Sequence, residues 1–278
     1  MDKKYMRLNF EVMMDTANCC EEMPELKNAI KHSIAKQYMV AEEDKIKLPA
    51  CEEVITKYCV SGKRSFEAAK AFRTMKVAVL NYANNHSIGG APYFSGAQEE
   101  SLCRCSTLLP CLMAMEIPFY QKHINMYRKG QMDNMGNADL IYTPDVVVFK
   151  SDFRTDPIYP QMMDSSDWYT ANVITCAAPV LSDPEKRPEN YEDVMRVRIR
   201  KILDVAAKEG NEVIILGAWG CGAFQNPIAI VSKLFAECLK DYHFPFVVFA
   251  LGTTKNVQGS VFVKALQAEG KQVWIDNQ

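Results

Sequence analysis

The chain has 278 residues, of which 48% are hydrophobic and 24% charged, so it fits one large globular domain or two small ones. Lys and Arg total 32 against 34 Asp and Glu, and this net charge of −2 argues against a general nucleic-acid binder. No apolar run approaches the roughly 18 residues of a transmembrane helix, and the start of the chain lacks a signal-peptide core. We expect a cytoplasmic protein with no membrane partner.

Helical spacing of apolar residues predicts helices in the N-terminal region, over residues 9–48. Pro49 and the stretch 61–63 are typical of connections. The run KVAVLNY at 76–82 then predicts the first buried strand, because it is short, apolar and rich in β-branched residues.

The rest of the chain alternates between strand and helix patterns. Strands are predicted at 145–150, 172–178, 212–217, 244–251 and 272–275, and loops at 129–139 and 151–171. Helices are predicted at 191–208, from an Asn226 cap and Pro227 to about 242, and at 255–269. This alternation predicts an α/β fold with a mostly parallel sheet covered on both faces. We interpret the basic positions of the 191–208 helix as a solvated face: Arg196, Arg198, Arg200 and Lys201.

The ten cysteines do not have the spacing of a metal site or a disulfide framework. No CxxC pair occurs, and Cys176 and Cys238 lie within apolar runs, as small core residues do. We therefore expect no metal and no cofactor.

A first candidate ligand loop leaves the carboxyl end of the 76–82 strand, where open α/β sheets bind ligands. In it, Gly89 and Gly90 allow positive φ or close approach of the backbone to a ligand. Gln98-Glu99-Glu100 then opens a helical stretch. Acidic residues are also favoured in a first helical turn by the helix dipole alone, so the carboxylates are not decisive by themselves.

A second glycine-rich loop, GAWGCGAFQ at 217–225, joins a predicted strand to a predicted helix. Such a turn offers backbone N–H groups to an anion. It is neither a P-loop nor a dinucleotide fingerprint, because no Gly-Lys-Ser/Thr follows and Gln225 stands where the third glycine would be. A purely structural turn would also explain it. On two strands of one sheet, the two loops together predict a cleft for a diphosphate with a ribose and a carboxylate nearby.

Helix geometry limits the chemistry of the two glutamates. Adjacent helical residues point about 100° apart, so we expect that Glu99 and Glu100 cannot face the same reacting atom. The paired carboxylates of common glycosidases are then not provided by this dipeptide. We expect one glutamate to act as both general acid and general base, while the other binds hydroxyl groups.

These motifs resemble those of the microbial-type poly(ADP-ribose) glycohydrolases. The resemblance is carried by NYANNHSIGGAPYFSGAQEESLCRCSTLLPCL, with YTPDVVVF and LGAWGCGAF downstream. The family signature is three glycines, a short spacer and Gln-Glu-Glu; here Gly89-Gly90-Ala91 is followed by six residues and then Gln98-Glu99-Glu100. The resemblance implies a macrodomain-like three-layer α/β/α sandwich with a mixed, mostly parallel central sheet. The whole chain, 1–278, would form one catalytic domain, with 1–75 as an N-terminal helical extension packed on it.

The same resemblance implies hydrolysis of ribose–ribose O-glycosidic bonds without a metal, on poly(ADP-ribose) or ADP-ribose attached to modified proteins. It makes Glu100 the catalytic acid and base, with Glu99 on the ribose hydroxyls. Tyr93 and Phe94, in the spacer, are positional candidates for contact with adenine or ribose. The predicted substrate-binding residues are Asn84 at the terminal ribose, Gly89, Gly90, Ala91, Gln98, Trp219, and Gly220, Cys221, Gly222, Ala223 and Phe224 around the diphosphate.

One position departs from the family pattern, since Ala91 replaces the third glycine. A Cβ is unfavourable there if φ is positive or if the backbone must touch the ligand. Three alternatives therefore stay open: an ADP-ribose-binding reader with little turnover, a hydrolase of single ADP-ribose units, and an interaction protein that binds no ADP-ribose.

Overall fold

An eight-stranded mixed sheet forms the centre of the fold. The structure is a computed structural model that describes residues 3–50, 54–152, 160–181, 183, 185, 187–252 and 257–276. The strands are β1 (Tyr38–Val40), β2 (Lys57–Ser61), β3 (Val77–Tyr82), β4 (Leu140–Val148), β5 (Tyr169–Cys176), β6 (Val213–Leu216), β7 (Phe246–Ala250) and β8 (Val273–Asp276). Their order across the sheet is β1-β4-β5-β3-β6-β7-β2-β8, and the pairings are parallel except those of β4 with β1 and β5.

Helices cover both faces of this sheet. The α-helices are α1 (Lys3–Glu22), α2 (Pro24–Lys36), α3 (Ser65–Lys70), α4 (Gln98–Cys105), α5 (Leu108–Met113), α6 (Lys122–Arg128), α7 (Tyr191–Lys208), α8 (Ile228–Cys238) and α9 (Val257–Ala268), and a π-helical segment (Glu116–Gln121) precedes α6. One core packs α7, α8 and α9 against one sheet face, and a second packs α3, α4 and α5 against the other. The predicted α/β class, with a mixed and mostly parallel sheet between two helical layers, is confirmed.

The sheet places the two candidate loops side by side. β3 pairs in parallel with both β5 and β6, with Val77 opposite Val213 and Val79 opposite Ile215. The carboxyl ends of β3 and β6 therefore meet at one edge, and the loops after them face each other. Because parallel strands are buried on both faces, these strands are almost wholly apolar.

Several predicted boundaries are wrong. The helical pattern at 9–48 resolves into α1, α2 and the short strand β1, and 1–75 is not helical throughout, since β2 adds a strand between β7 and β8. β4 starts at Leu140 and β5 at Tyr169, earlier than predicted, and the loop prediction at 151–171 fails for its last residues. Part of that loop, 153–159, and the predicted helix start at 255–256 lie outside the described residues.

Two polar predictions for the α7–α8 region are also wrong. Arg198 and Lys201 are not solvated: they are buried and donate to main-chain carbonyls, Arg198 to Ala177 O at 3.1 Å and Lys201 to Glu42 O at 2.7 Å. Long basic side chains can cross an apolar layer when carbonyl groups receive their charged ends. Asn226 does not cap α8, whose cap residue is Pro227.

The prediction that two of the cysteines are core residues is confirmed. Cys176 and Cys238 are core residues, and the described cysteines are free thiols. Among the described helices, none has the length and apolar character needed to cross a membrane.

A buried lysine fastens α1 to the sheet layer. Lys150 is 1% exposed, and its ammonium group donates to Asp15 Oδ2 at 2.6 Å, Thr16 Oγ1 at 2.8 Å and Val12 O at 3.2 Å. Burial of a charge is costly unless it is paired and hydrogen-bonded, so Asp15 stabilises the contact between α1 and the end of β4.

Asp15→Ala should lower the free energy of unfolding by about 1–3 kcal/mol, because it leaves the buried Lys150 ammonium with neutral partners only. Denaturant unfolding measures this loss. Glu11→Ala is the matched control on the same helix: it removes only the exposed pair with Arg7 and should change stability little. Equal effects of the two substitutions would contradict the anchoring role of Lys150.

Candidate active site

Side chains from the start of α4 hold it against the end of β3. Gln98 Oε1 accepts from the Tyr82 N–H at 2.9 Å, and Gln98 Nε2 donates to Leu80 O at 2.8 Å and Ser65 Oγ at 3.0 Å. Gln98 thus bonds to the β3 backbone much as a neighbouring strand would. The dipeptide that follows it, Glu99-Glu100, is thereby placed over the carboxyl edge of the sheet.

The two glutamates converge on the loop after β3. An ideal Cβ built on Gly90 would lie 2.5 Å from Glu100 Oε1 and 3.2 Å from Glu99 Oε2. The prediction that the two carboxylates cannot face one place is therefore wrong. The 100° divergence applies where the side chains leave the helix, and each glutamate is long enough to bend back toward the loop. Gly90 must be glycine on two counts, because its φ is +68° and a Cβ has no room.

The hydrogen bonds of the two carboxylates differ. Glu99 Oε2 accepts from the Asn84 N–H at 2.8 Å and Oε1 from Asn81 Nδ2 at 3.2 Å, so both oxygens are engaged. Glu100 Oε1 accepts from the Ala91 N–H at 3.1 Å, whereas its Oε2 accepts no hydrogen bond from the described residues. The structure thus leaves one carboxyl oxygen available, and it belongs to Glu100.

Burial governs the electrostatics of Glu99, which is 3% exposed. Burial raises the pKa of its carboxyl to about 8, and the neighbouring Glu100 adds to this rise, while the hydrogen bonds from Asn84 and Asn81 oppose it. The site therefore favours the protonated form of Glu99 over its carboxylate.

The spacer between Gly90 and Gln98 is fixed by two residues that the sequence did not single out. Arg104, 1% exposed, donates from Nη1 to Pro92 O at 2.6 Å and Ser95 O at 2.7 Å. Asn9 of α1 donates from Nδ2 to Phe94 O at 2.8 Å. The N-terminal helix therefore helps to shape the candidate site.

Ala91 is compatible with this loop. Among the described non-glycine residues, positive φ occurs only at Asp145 and Gln225, so Ala91 is not in the left-handed region. Its side chain is exposed and its N–H is the donor to Glu100. The two positions that do have positive φ, Gly89 and Gly90, are glycines. The third glycine of the family pattern is not required here for backbone conformation.

The loop after β6 exposes a row of backbone donors. Within the described residues, the N–H groups of Gly220, Gly222, Ala223 and Phe224 donate no hydrogen bond. Asn226 holds the loop from behind, with Nδ2 donating to Gly220 O at 2.9 Å and Pro179 O at 2.8 Å, while Tyr191 OH donates to its Oδ1. Free N–H groups in a rigid turn before a helix are suited to a phosphate.

The two loops enclose a cavity of about 610 Å³, here called the loop cavity. Most of the predicted binding residues line it, and both glutamates lie on its wall. The predicted residues on its lining are Asn84, Gly90, Ala91, Gln98, Glu99, Glu100, Trp219, Gly220, Gly222, Ala223 and Phe224. Asn84 Oδ1 accepts from the His86 and Ser87 N–H groups, while its Nδ2 donates no hydrogen bond within the described residues.

Some predicted binding residues do not line this cavity. Gly89 instead packs beneath the loop, where a Cβ would lie 2.8 Å from Leu109 and 3.0 Å from Cys103. Cys221 is also outside the lining. Trp219 does belong to the lining, but its side chain is fully buried, with Nε1 donating to Cys176 O at 3.0 Å. Tyr93 and Phe94 face Phe10 of α1, at ring distances of 5.8 and 6.3 Å.

Sequence reasoning missed six further lining residues, five of which have small side chains that carry no chemical signal of their own. They are Tyr82, Ser87, Ser95, Ala97, Ala178 and Ala218. Tyr82 could have been found, since it ends the predicted strand directly before the first loop. In the parts of the chain that the structure describes, no group of three or more His, Cys, Asp or Glu side chains could hold a metal ion.

Comparisons with known proteins agree with this geometry. Residues 15–151 match the family model of the microbial-type PARG catalytic domain. The crystal structure of poly(ADP-ribose) glycohydrolase from Thermomonospora curvata is 26% identical and has a TM-score of 0.78, covering 93% of this chain and 99% of that one. That of the Deinococcus radiodurans enzyme in complex with ADP-ribose is 27% identical, with a TM-score of 0.68, over 86% and 96% of the two chains. No curated protein sequence matches the chain.

The fold and the paired loops define a protein of the poly(ADP-ribose) glycohydrolase type. Over residues 15–151 the chain matches the model of the microbial-type poly(ADP-ribose) glycohydrolase catalytic domain, and the resemblance seen in its sequence is confirmed.

Gly90→Ala should abolish ligand binding and activity, because a Cβ at φ +68° would collide with Glu100 Oε1. Ala91→Gly is the matched control, one residue along, and should keep both within about twofold, since Ala91 has no backbone strain to relieve. Calorimetry measures the affinity of both variants for ADP-ribose. A large gain in affinity from Ala91→Gly would show that the missing glycine matters.

The raised pKa of Glu99 predicts a pH dependence of stability. A buried carboxyl whose pKa is about 8 in the folded protein, against about 4.5 when exposed, stabilises the fold at low pH and loses that contribution as pH rises toward 8. Relative to Glu99→Gln, the wild-type free energy of unfolding should therefore fall by about 1.4 kcal/mol per pH unit between about pH 5 and 8. Denaturant unfolding at several pH values tests this, with Glu43→Gln, an exposed glutamate, as the control. Parallel pH curves for wild type and Glu99→Gln would contradict it.

Proposed function

We propose that this chain is a poly(ADP-ribose) glycohydrolase that hydrolyses ribose–ribose O-glycosidic bonds and releases ADP-ribose. The observation that carries the proposal is the lining of the loop cavity. It combines Glu100, one of whose carboxyl oxygens accepts no hydrogen bond from the described residues, with a loop in which four N–H groups donate none to them. The cavity thus offers an acid or base at one wall and an anion site at the other, as a glycosidic bond next to a diphosphate requires.

The strand order suggests how ADP-ribose lies in the site. The distal ribose belongs beside the glutamates, above β3, and the diphosphate on the loop after the neighbouring β6. Beyond β6 the sheet continues with β7 and then β2. A second cavity, of about 600 Å³, lies there, and its lining includes Arg64, Glu67 and Asp152. It shares Tyr82, Gln98 and Ala218 with the loop cavity. We place the adenosine half of the ligand there.

Glu100 is the proposed acid and base. As a carboxylic acid it gives its proton to the bridging oxygen while the C1–O bond of the distal ribose breaks, and as a carboxylate it then takes a proton from the water that adds to C1. The products are two hydroxyl-bearing riboses, and Glu100 regains its proton. Glu99, with one oxygen engaged by Asn81 of β3 and the other by Asn84 of the loop, acts by holding the ribose hydroxyls and the loop in place.

We further propose that the whole chain acts as one macrodomain-like catalytic domain. Two contacts of its N-terminal part support this: Asn9 bonds to the spacer, and β2 lies within the central sheet. The alternative of a reader without turnover depended on Ala91, and the backbone at Ala91 gives it no support.

Glu100→Gln should lower turnover of poly(ADP-ribose) by about 10²–10⁴-fold, because it keeps the size of the side chain but removes its exchangeable acid proton. ADP-ribose should still bind and raise the melting temperature, since a ligand that binds only the folded state stabilises it. Glu99→Gln should cause a smaller loss, because an amide can replace part of its hydrogen bonding. Single-turnover hydrolysis and calorimetry on both variants measure these effects.

A nearly active Glu100→Gln would overturn the catalytic role, and equal losses from both variants would remove the division of roles between the glutamates. A wild-type protein that binds ADP-ribose but releases none from polymer would favour the reader. Activity that disappears with a chelator and returns with added zinc would contradict the metal-free mechanism.

A further inference from the structure

A third cavity, of about 300 Å³, lies at the carboxyl end of β5 and is here called the β5 cavity. Its walls come from the loop after β3 (Asn85, His86), from Tyr127 at the end of α6, from Asp133 and Asn134 in the following loop, and from Ala178 after β5. It adjoins the loop cavity through Ala178, which lines both, and through the consecutive residues Asn84 and Asn85. Neither the glutamates nor the diphosphate loop lines it.

The three cavities follow the order of the strands. The β5 cavity lies over β5, the loop cavity over β3 and β6, and the proposed adenosine cavity over β7 and β2. With the distal ribose above β3 and its own adenosine toward β2, the bond to be cleaved points the other way, toward β5. In poly(ADP-ribose) that bond joins the distal ribose to the adenosine ribose of the next unit. The leaving adenosine therefore has the β5 cavity directly in its path.

The lining chemistry fits a nucleoside better than a phosphate. Asp133 is the one charged residue that lines the cavity within the described part of the chain, and a carboxylate repels phosphate but accepts from amino or hydroxyl groups. Tyr127 is 40% exposed, and its ring makes a T-shaped contact with His86, with centroids 4.9 Å apart and planes at 88°. Bases stack on such rings with little dependence on sequence.

The cavity walls are held rigidly from below. Buried Arg198 donates from Nη1 to Ala177 O at 3.1 Å and from Nη2 to Met135 O. These two bonds join the segment after β5 to the loop after α6. The Val180 N–H donates to Asn134 O at 2.8 Å between the same two segments. A preformed wall reduces the cost of ordering on binding.

We propose that the β5 cavity is a leaving-group subsite that binds the adenosine of the adjoining ADP-ribose unit, with its base on Tyr127. This inference rests on the proposed glycohydrolase function and adds the part of the substrate beyond the cleaved bond. It makes a chain of at least two units a better ligand than ADP-ribose alone.

The test compares the binding of ADP-ribose and of its dimer, two units joined by the ribose–ribose bond, to the Glu100→Gln protein, which should not cleave the dimer. The dimer should bind about tenfold more tightly than ADP-ribose, because of the added base stacking. Tyr127→Ala in the same background should remove this difference and leave ADP-ribose affinity within about twofold. Tyr127→Phe, which keeps the ring, should retain the difference. Trp274→Ala, with a similarly exposed aromatic ring (42%) on β8 at the far edge of the sheet, should also retain it.

Equal affinities of dimer and monomer for the Glu100→Gln protein would overturn the subsite while leaving the proposed function intact. A Tyr127→Ala variant that loses ADP-ribose binding as well would also overturn it, since the residue would then support only the loop fold. If an ADP-ribosylated peptide shows the tenfold gain and the dimer does not, the cavity binds a modified side chain and the adenosine assignment is wrong. Failure of ADP-ribose itself to bind the wild-type protein would instead reject the proposed function.

Discussion

The attachment of the start of α4 to the end of β3 is the constraint on which the site depends. Gln98 bonds to the backbone of Leu80 and Tyr82, and Glu99 bonds to the backbone of Asn84, so the helix and the loop are set by the same strand. The bond from Asn84, together with those from Asn81 to Glu99 and from Ala91 to Glu100, compensates the buried carboxyl groups for losing water. The loop conformation, the positions of both carboxylates and the opening of the cavity all follow from this one junction.

The opposite wall is built on a different principle, in which side chains are buried so that backbone can be exposed. Trp219 and Asn226 face inward and use their polar atoms to hold carbonyl groups of the surrounding loops. Within the described residues, four N–H groups of that loop donate no hydrogen bond, and the residues that carry them line the cavity. A wall of this kind recognises charge without committing a charged side chain, and its donors need no reorganisation when an anion arrives.

The sequence was sufficient to predict both loops and the strands before them, because apolar runs and glycines have local physical causes. β2 was missed because its five residues, KYCVS, contain a charge and a hydroxyl and carry no extended apolar run. Arg104 and Asn9 were missed because their partners are carbonyl groups distant in sequence, and nothing in the local pattern distinguishes them from surface residues. Arg198 and Lys201 were assigned to the surface for the same reason. The roles proposed for Glu99 and Glu100 came from resemblance, and the structure adds which oxygen of each is engaged.

The two positive-φ residues of the first loop have a consequence for how such proteins are recognised. Gly89 packs against Cys103 and Leu109, and Gly90 against the glutamates, so neither position tolerates a side chain, whereas Ala91 is exposed in ordinary backbone. A search pattern that demands three glycines would reject this chain, although its loop meets the same steric conditions. A pattern written in backbone angles and excluded volume would accept it, and would reject a chain in which the alanine stood one position earlier.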